Sequence, residues 1–260
     1  MLAFAVAISG IGADAVPLQP NTKWMVNYQE NGCLLSRRFG PEAAPVTLGF
    51  EPSVVAAAEG RLVVLVPDPD KRAAATGKAS IKLAPSGEVL TANFNAGPIG
   101  TERGLVLWLA ADKLVSLTGA VTMTLAAGDE APVTLQTNGM TKALDAIRSC
   151  QDDLVKTWGV DRADMVKVED QPAPASFISY DAYPRSAILS KAQGRVISLL
   201  TVGDDGRVTG CRVVGTSGHS ELDTITCKLA RKARFGKTKR DPNQAPRWMP
   251  LQVRWVLPEK

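Results

Sequence analysis

The chain has 260 residues, of which 45% are hydrophobic and 22% charged, and a formal net charge of +4. That composition excludes a wholly disordered chain, a collagen-like fibre and a polytopic membrane protein, and the length suits one or two domains with real cores. Thirty Lys and Arg against 26 acidic residues do not imply nucleic acid as a partner, and one histidine with four scattered cysteines argues against a zinc or other metal site.

Met1 to Gly12 is an uncharged apolar run, and Ala13-Asp14-Ala15 after it has the A-x-A form that a signal peptidase cuts behind. Residues 1–15 are therefore predicted to be a signal peptide, cleaved after Ala15. No Lys or Arg precedes the run, so a start upstream of Met1 is the alternative. As written the run is shorter than the roughly 20 apolar residues a membrane span needs. An oxidising compartment would let the cysteines pair.

Residues 16–163 are predicted to form an antiparallel β-rich N-terminal domain closed by a long helix. Lys23–Gln29 alternates, with Trp24, Val26 and Tyr28 on one face. Cys33–Phe39, Val46–Phe50, Arg61–Val66, Ala79–Leu83, Gly104–Leu109 and Val121–Leu125 are further strands, most of them bounded by Gly, Pro, Asn or Asp. Over Gly139–Trp158 the period changes to that of a helix. Met140, Leu144, Ile147, Leu154 and Trp158 share its apolar stripe, with Cys150 near the seam. Cys150 could staple this helix to the strand beginning at Cys33, closing a long loop worth about 4 kcal/mol.

Residues 164–182 are predicted to be a linker, because Glu169–Ser176 (EDQPAPAS) holds two prolines that disfavour helix and sheet. Charge divides in the same place. Residues 175–260 carry 15 Lys and Arg against 7 Asp and Glu, a net of +8, which leaves −4 for the rest. The basic excess is either a surface for anionic envelope material or a solvated face.

The domain at 183–260 opens with a short helix over Arg185–Lys191. Gly194–Val202 alternates as a strand with Val196, Ser198, Leu200 and Val202 on one face, and Gly203-Asp204-Asp205-Gly206 turns the chain into Arg207–Val214. Ser220 is expected to cap a helix, with Asp223 completing an S-x-x-D box and Leu222, Ile225, Leu229 and Ala233 as its buried stripe. Lys228, Arg231, Lys232 and Arg234 gather toward the helix C-terminus, where cations are favoured. Pro250–Leu257 alternates as a last strand. The expected product is α+β: a three-stranded antiparallel sheet with helix across one face. Of the five tryptophans Trp248, in a polar proline-containing stretch, is the one expected to be exposed.

Tyr183-Pro184, Gly194-Arg195-Val196, Asp205-Gly206-Arg207-Val208, Val213-Val214, Thr216-Ser217-Gly218, Leu222-Asp223 and Ala233-Arg234-Phe235 occur in an order and spacing that resembles the C-terminal domain of TonB. The resemblance runs from Tyr183 to Leu257. It implies a periplasmic module of Gram-negative bacteria that meets outer-membrane receptors through its last strand. Carried over, the partner-binding edge is Leu251, Gln252, Val253, Arg254, Trp255, Val256 and Leu257. Unpaired backbone groups there would take another strand, unless a loop or the N-terminal domain covers the edge.

Three features depart from that family. Its energy transducers carry a membrane anchor and a Pro-rich spacer, where this chain has a signal-like run and a globular domain. The motif ending at Phe235 is followed by Gly236-Lys237 instead of proline. Cys211 and Cys227 fall on a strand and a helix, where a disulfide would close a short loop; cross-domain pairing and free thiols are the alternatives. In the N-terminal half, Trp24, Tyr28, Cys33 and Arg38-Phe39-Gly40 faintly resemble a segment that precedes TonB-type domains in some secreted proteobacterial proteins.

Catalysis finds no footing in the sequence. His219 could join Ser217 or Ser220 and Asp223, but hydroxyls at a helix start are ordinarily caps and no nucleophile elbow is present. Asp204-Asp205 suits a turn, and no cofactor loop appears. Three functions follow. The first is a binding protein in TonB-linked transport that takes a strand from a receptor or other envelope protein. The second is a structural protein held to cell wall by the basic face Lys228–Arg240. The third is an anchored energy transducer whose start lies upstream.

Overall fold

The computed structural model describes residues 16–29, 32–54, 60–110, 113, 116–161, 164–165, 177–235 and 248–257. The expected signal segment, the Glu169–Ser176 linker, and residues 236–247 with most of the approach to Trp248 lie outside these. The fold is α+β.

Nine antiparallel strands form the N-terminal sheet: β1 (Met25–Gln29), β2 (Gly32–Phe39), β3 (Val46–Glu51), β4 (Gly60–Pro67), β5 (Ala75–Ala84), β6 (Val89–Ile99), β7 (Glu102–Leu109), β8 (Thr122–Ala127) and β9 (Val133–Gln136). Their spatial order is β1-β2-β3-β4-β7-β6-β5-β8-β9. The sheet curls into a half-barrel, and the segment before β1 ties its two ends together. Leu18 bridges Leu135 of β9, and Pro20 bridges Phe39 of β2. One large core fills the concave side, including Leu35, Phe39, Leu48, Leu62, Ile81, Leu107 and Leu125.

Two strands went unrecognised in the sequence. β6 contains Asn93, Asn95, Gly97 and Pro98, which read as breakers, yet Leu90, Ala92, Phe94 and Ala96 alternate inward over its length. Packing on both neighbours outweighs the poor strand propensity of Asn and Ala. β9 has only four residues. The alternation of β1 also fails at its end: Trp24 and Val26 pack on the core, but Tyr28 is 67% exposed.

Helix α1 (Met140–Thr157) has 18 residues, and Met140, Leu144, Ile147 and Leu154 are buried along its predicted stripe, with Trp158 just beyond its end. The expectation of a long helix closing the whole domain is corrected. The helix packs beside β1 and β2 and the 3-10 turn at Leu117–Gly119, so it seals one end of the sheet. A disulfide joins Cys33 of β2 to Cys150 of α1.

The C-terminal sheet has three antiparallel strands, β10 (Gly194–Val202), β11 (Val208–Gly215) and β12 (Trp248–Trp255), in the order β11-β10-β12. Two helices, α2 (Arg185–Leu189) and α3 (Ser220–Ala230), lie on one face. Val196, Leu200, Leu222, Ala230, Leu251, Val253 and Trp255 form the core between these layers. Cys211 of β11 is disulfide-bonded to Cys227 of α3.

The second face of this sheet is covered as well. Ile197 and Leu199 of β10 pack with Val54, Leu154, Val155, Trp158 and Val160 from the N-terminal half. Arg212 donates to the backbone carbonyl of Trp158 at 2.6 Å. The three-stranded sheet is therefore the middle of three layers.

Candidate functional site

The motif residues of the C-terminal part are explained by local geometry. Asp205 accepts the backbone N–H of Arg207 at 3.0 Å, and Gly206 takes φ +78°, a left-handed conformation that glycine adopts without cost. This fixes the β10–β11 turn. The Phe235 N–H donates to the Gly206 carbonyl at 2.9 Å, so the segment leaving α3 is tied to the same turn. Gly194 has no room for a side chain, because a Cβ would lie 2.6 Å from the Ser217 carbonyl oxygen.

The start of α3 differs from expectation. Ser220 is the first helical residue and His219 is the N-cap, with no side-chain cap bond. Asp223 instead reaches back and accepts from the Ser217 N–H at 2.9 Å, the Ser217 hydroxyl at 2.7 Å and the Thr216 hydroxyl at 2.6 Å. The carboxylate thus gathers the loop donors before the helix, while Gly218 at φ +83° lets the loop turn. Leu222, fully buried, anchors the helix to the sheet.

Trp255 holds the last strand under the helices. Its indole N–H donates to Thr226 Oγ1 at 2.8 Å, and that hydroxyl donates to the Leu222 carbonyl at 2.7 Å. Tyr183 meets Trp255 edge-on at 5.1 Å between ring centroids, and its hydroxyl donates to the Ala192 carbonyl. Pro184 is the N-cap of α2.

β12 is a terminal strand of its sheet. Leu251, Val253 and Trp255 face the helices, while Gln252 and Arg254 are exposed and Val256 is 50% exposed. One end of the outer edge is occupied, since Trp248 bridges Met165. Among the described residues no strand pairs with that edge beyond Trp248. The expected exposure of Trp248 is corrected: it is half-buried against the interlayer cluster, and the Arg212 guanidinium stacks over its ring at 5.2 Å.

A cleft of about 420 Å³ opens beside the exposed half of β12, between the two sheets. Glu51, at the end of β3, is 6% exposed and accepts from Arg61 across the sheet and from Arg195 across the interface. Arg254 lies directly opposite Arg195 in the β10–β12 ladder. Partial desolvation beside the cleft, then the like charges of Arg61 and Arg195, pull the Arg254 guanidinium below its ordinary pKa, with Glu51 opposing. Gly32 leaves room for the Glu51–Arg195 contact, because a Cβ there would come 3.1 Å from the carboxylate and 3.2 Å from the guanidinium. Glu51 and Arg61 were not singled out in the sequence. They lie far from the C-terminal motifs, and only the packing of the two sheets brings them together.

The N-terminal residues with a faint family likeness also have structural work. Trp24 meets Phe39 edge-on at 6.3 Å, Arg37 stacks over both rings, and Arg38 and Gly40 exchange backbone and side-chain bonds with residues 19–22.

A small module, a three-stranded antiparallel sheet with two helices on one face, is the class of protein these residues define. Residues 179–257 match the family described as Gram-negative bacterial TonB protein C-terminal. The TonB C-terminal family acts in envelope transport and its energy transduction. No curated protein and no solved structure matches the chain. Among the described residues no helix is long and apolar enough to cross a membrane.

Proposed function

We propose that this is a periplasmic, non-enzymatic binding protein, in which a domain spanning residues 16–163 and a TonB-type domain at 183–260 are joined through residues 164–182. The TonB-type domain takes an extended segment of an outer-membrane receptor, or of another envelope protein, by strand addition along Leu251–Leu257. The observation that carries this reading is that, among the described residues, no strand pairs with the outer edge of β12 beyond Trp248, in a sheet whose two faces are both covered. With the faces occupied, the sheet can still meet a protein along its edge strands, β11 and β12, and the family resemblance favours β12. Backbone N–H and C=O groups supply affinity there, and alternate side chains supply register.

Proline substitution tests the edge. Ladder bonds alternate in direction, so of Gln252 and Val253 one directs its N–H into the sheet and the other outward. Both Gln252→Pro and Val253→Pro are made, and receptor-peptide binding is measured beside thermal unfolding. The variant that keeps its melting temperature is expected to lose binding. If both folded variants bind as well as the parent, the edge-strand reading is wrong.

A second reading rests on the exposure of Lys228, Arg231, Lys232 and Arg234 along and just past α3. This face would hold the protein to anionic cell wall. Retention on purified cell wall should then fall steeply with salt, whereas strand addition should not; retention indifferent to salt rejects this reading.

A further inference from the structure

The cleft between the sheets concentrates positive charge in a way that packing does not explain. Arg195 and Arg254 are direct cross-strand neighbours, and like charges in that position destabilise an antiparallel pair. Arg61 approaches the same cleft from the other sheet. Among the described residues lining it, Glu51 is the carboxylate, and it is engaged by Arg61 and Arg195. Counted over the described lining residues, three guanidinium groups and one carboxylate leave a surplus of two positive charges. Among the described residues Arg254 has no hydrogen-bond or ion-pair acceptor, although the neighbouring cations raise the cost of leaving it so. The cleft volume falls within the range of about 300–1,000 Å³ usual for small-molecule sites. Gln193 and Gln252 line it and add neutral donors and acceptors.

We propose that this cleft binds a small dianionic ligand, a phosphate ester or a dicarboxylate, with Arg254 and Arg61 holding the anion and Glu51 positioning Arg195 beside them. Guanidinium groups offer planar pairs of N–H donors that match both kinds of oxyanion. The site uses walls from both sheets, so an occupied cleft also clamps them together. It acts through side chains, whereas strand addition at β12 acts through the backbone, and loss of one does not entail loss of the other.

Calorimetric titration of the whole oxidised chain at low ionic strength tests the site, with inorganic phosphate and succinate as separate probes. One saturable site for at least one probe is expected. Phosphate alone saturating it identifies phosphate chemistry, and succinate alone identifies a dicarboxylate. Arg254→Gln should weaken that binding about tenfold or more, the size of a lost charged hydrogen bond. Arg207→Gln, at the exposed β10–β11 turn, should leave it unchanged. In the parent protein, saturating probe should slow phenylglyoxal modification of Arg254 but not of Arg207, read by peptide mass. The labelling arm does not depend on the variant folding. Failure of both probes to saturate a site, unchanged affinity in folded Arg254→Gln, or unprotected Arg254 would each overturn the proposal.

Discussion

The nine-stranded sheet curls around a core of its own, whereas the three-stranded sheet is nearly flat in its needs: it has two faces and finds a cover for each. On one side α2 and α3 supply it. On the other, the end of α1 and Val54 supply it from the far half of the chain. Three strands with one helical layer bury little surface, and small cores are marginal. The same contrast appears in the disulfides. Cys33–Cys150 closes a loop with a sequence separation of 117, reaching across most of the N-terminal part, while Cys211–Cys227 spans 16. The large sheet is stapled to its helix across a long stretch of chain, and the small one is stapled to its helix locally and leaned against its neighbour.

The largest effect should come from the long staple. In the chain-entropy account, removing Cys33–Cys150 by paired Cys→Ala changes costs about 4–5 kcal/mol, and removing Cys211–Cys227 about 3 kcal/mol. Urea unfolding midpoints of the two double variants measure this. Equal losses, or a larger loss for the short loop, would mean that strain or residual structure, and not loop length, separates the two halves.

Trp158→Ala asks whether the halves are one cooperative unit. Its side chain is 5% exposed in the interlayer cluster with Leu199 and Val155. Truncating a buried tryptophan costs about 3–4 kcal/mol. Amide exchange should quicken in β10 and β11, which lose cover on one face, while the central strands β4 and β7 keep their protection. Equal loss of protection in both sheets would show that the small sheet is not the weaker partner.

What the sequence made legible follows the same division. Strands with branched residues at alternate positions, such as β4 and β10, declared themselves, and so did the stripe of α1; the two cysteine pairings were readable as options, with cross-domain pairing and free thiols open beside Cys211–Cys227. The C-terminal motifs were readable because each is a local device: Asp205-Gly206 makes a turn, and Asp223 closes the loop from Thr216 and Ser217. β6 hid behind its asparagines. The Glu51–Arg61–Arg195–Arg254 cluster stayed hidden for a different reason. Glu51 and Arg195 are 144 residues apart, and no local period relates them. Trp248 was misjudged because the polar residues before it suggested water, when the face it occupies is the one that meets the N-terminal half.

The smallest effect concerns how each half handles its charges. In the three-stranded sheet Arg195 and Arg254 stand opposite each other, but the N-terminal sheet surrounds its buried arginine with acceptors. Arg103, 2% exposed, donates to Glu130 at 2.6 and 2.9 Å and to the carbonyls of Arg72 and Ala73. Arg72 then links Glu130 to Asp68. The side-chain hydrogen bond from Arg72 holds the Asp68 carboxyl below its ordinary pKa, helped by the Arg72 backbone N–H and by the charges of Arg72 and Arg103, with desolvation opposing. A depressed native value means that the unfolded chain binds the proton first as pH falls. Asp68 therefore stabilises the fold fully above the ordinary Asp range of about 4, and that contribution declines as pH drops through the lower native value. Melting temperatures of the parent and Asp68→Asn should differ most near neutrality and converge in acid. A difference that is constant with pH would assign the role of Asp68 to neutral hydrogen bonding instead of charge, and would remove this contrast between the two sheets.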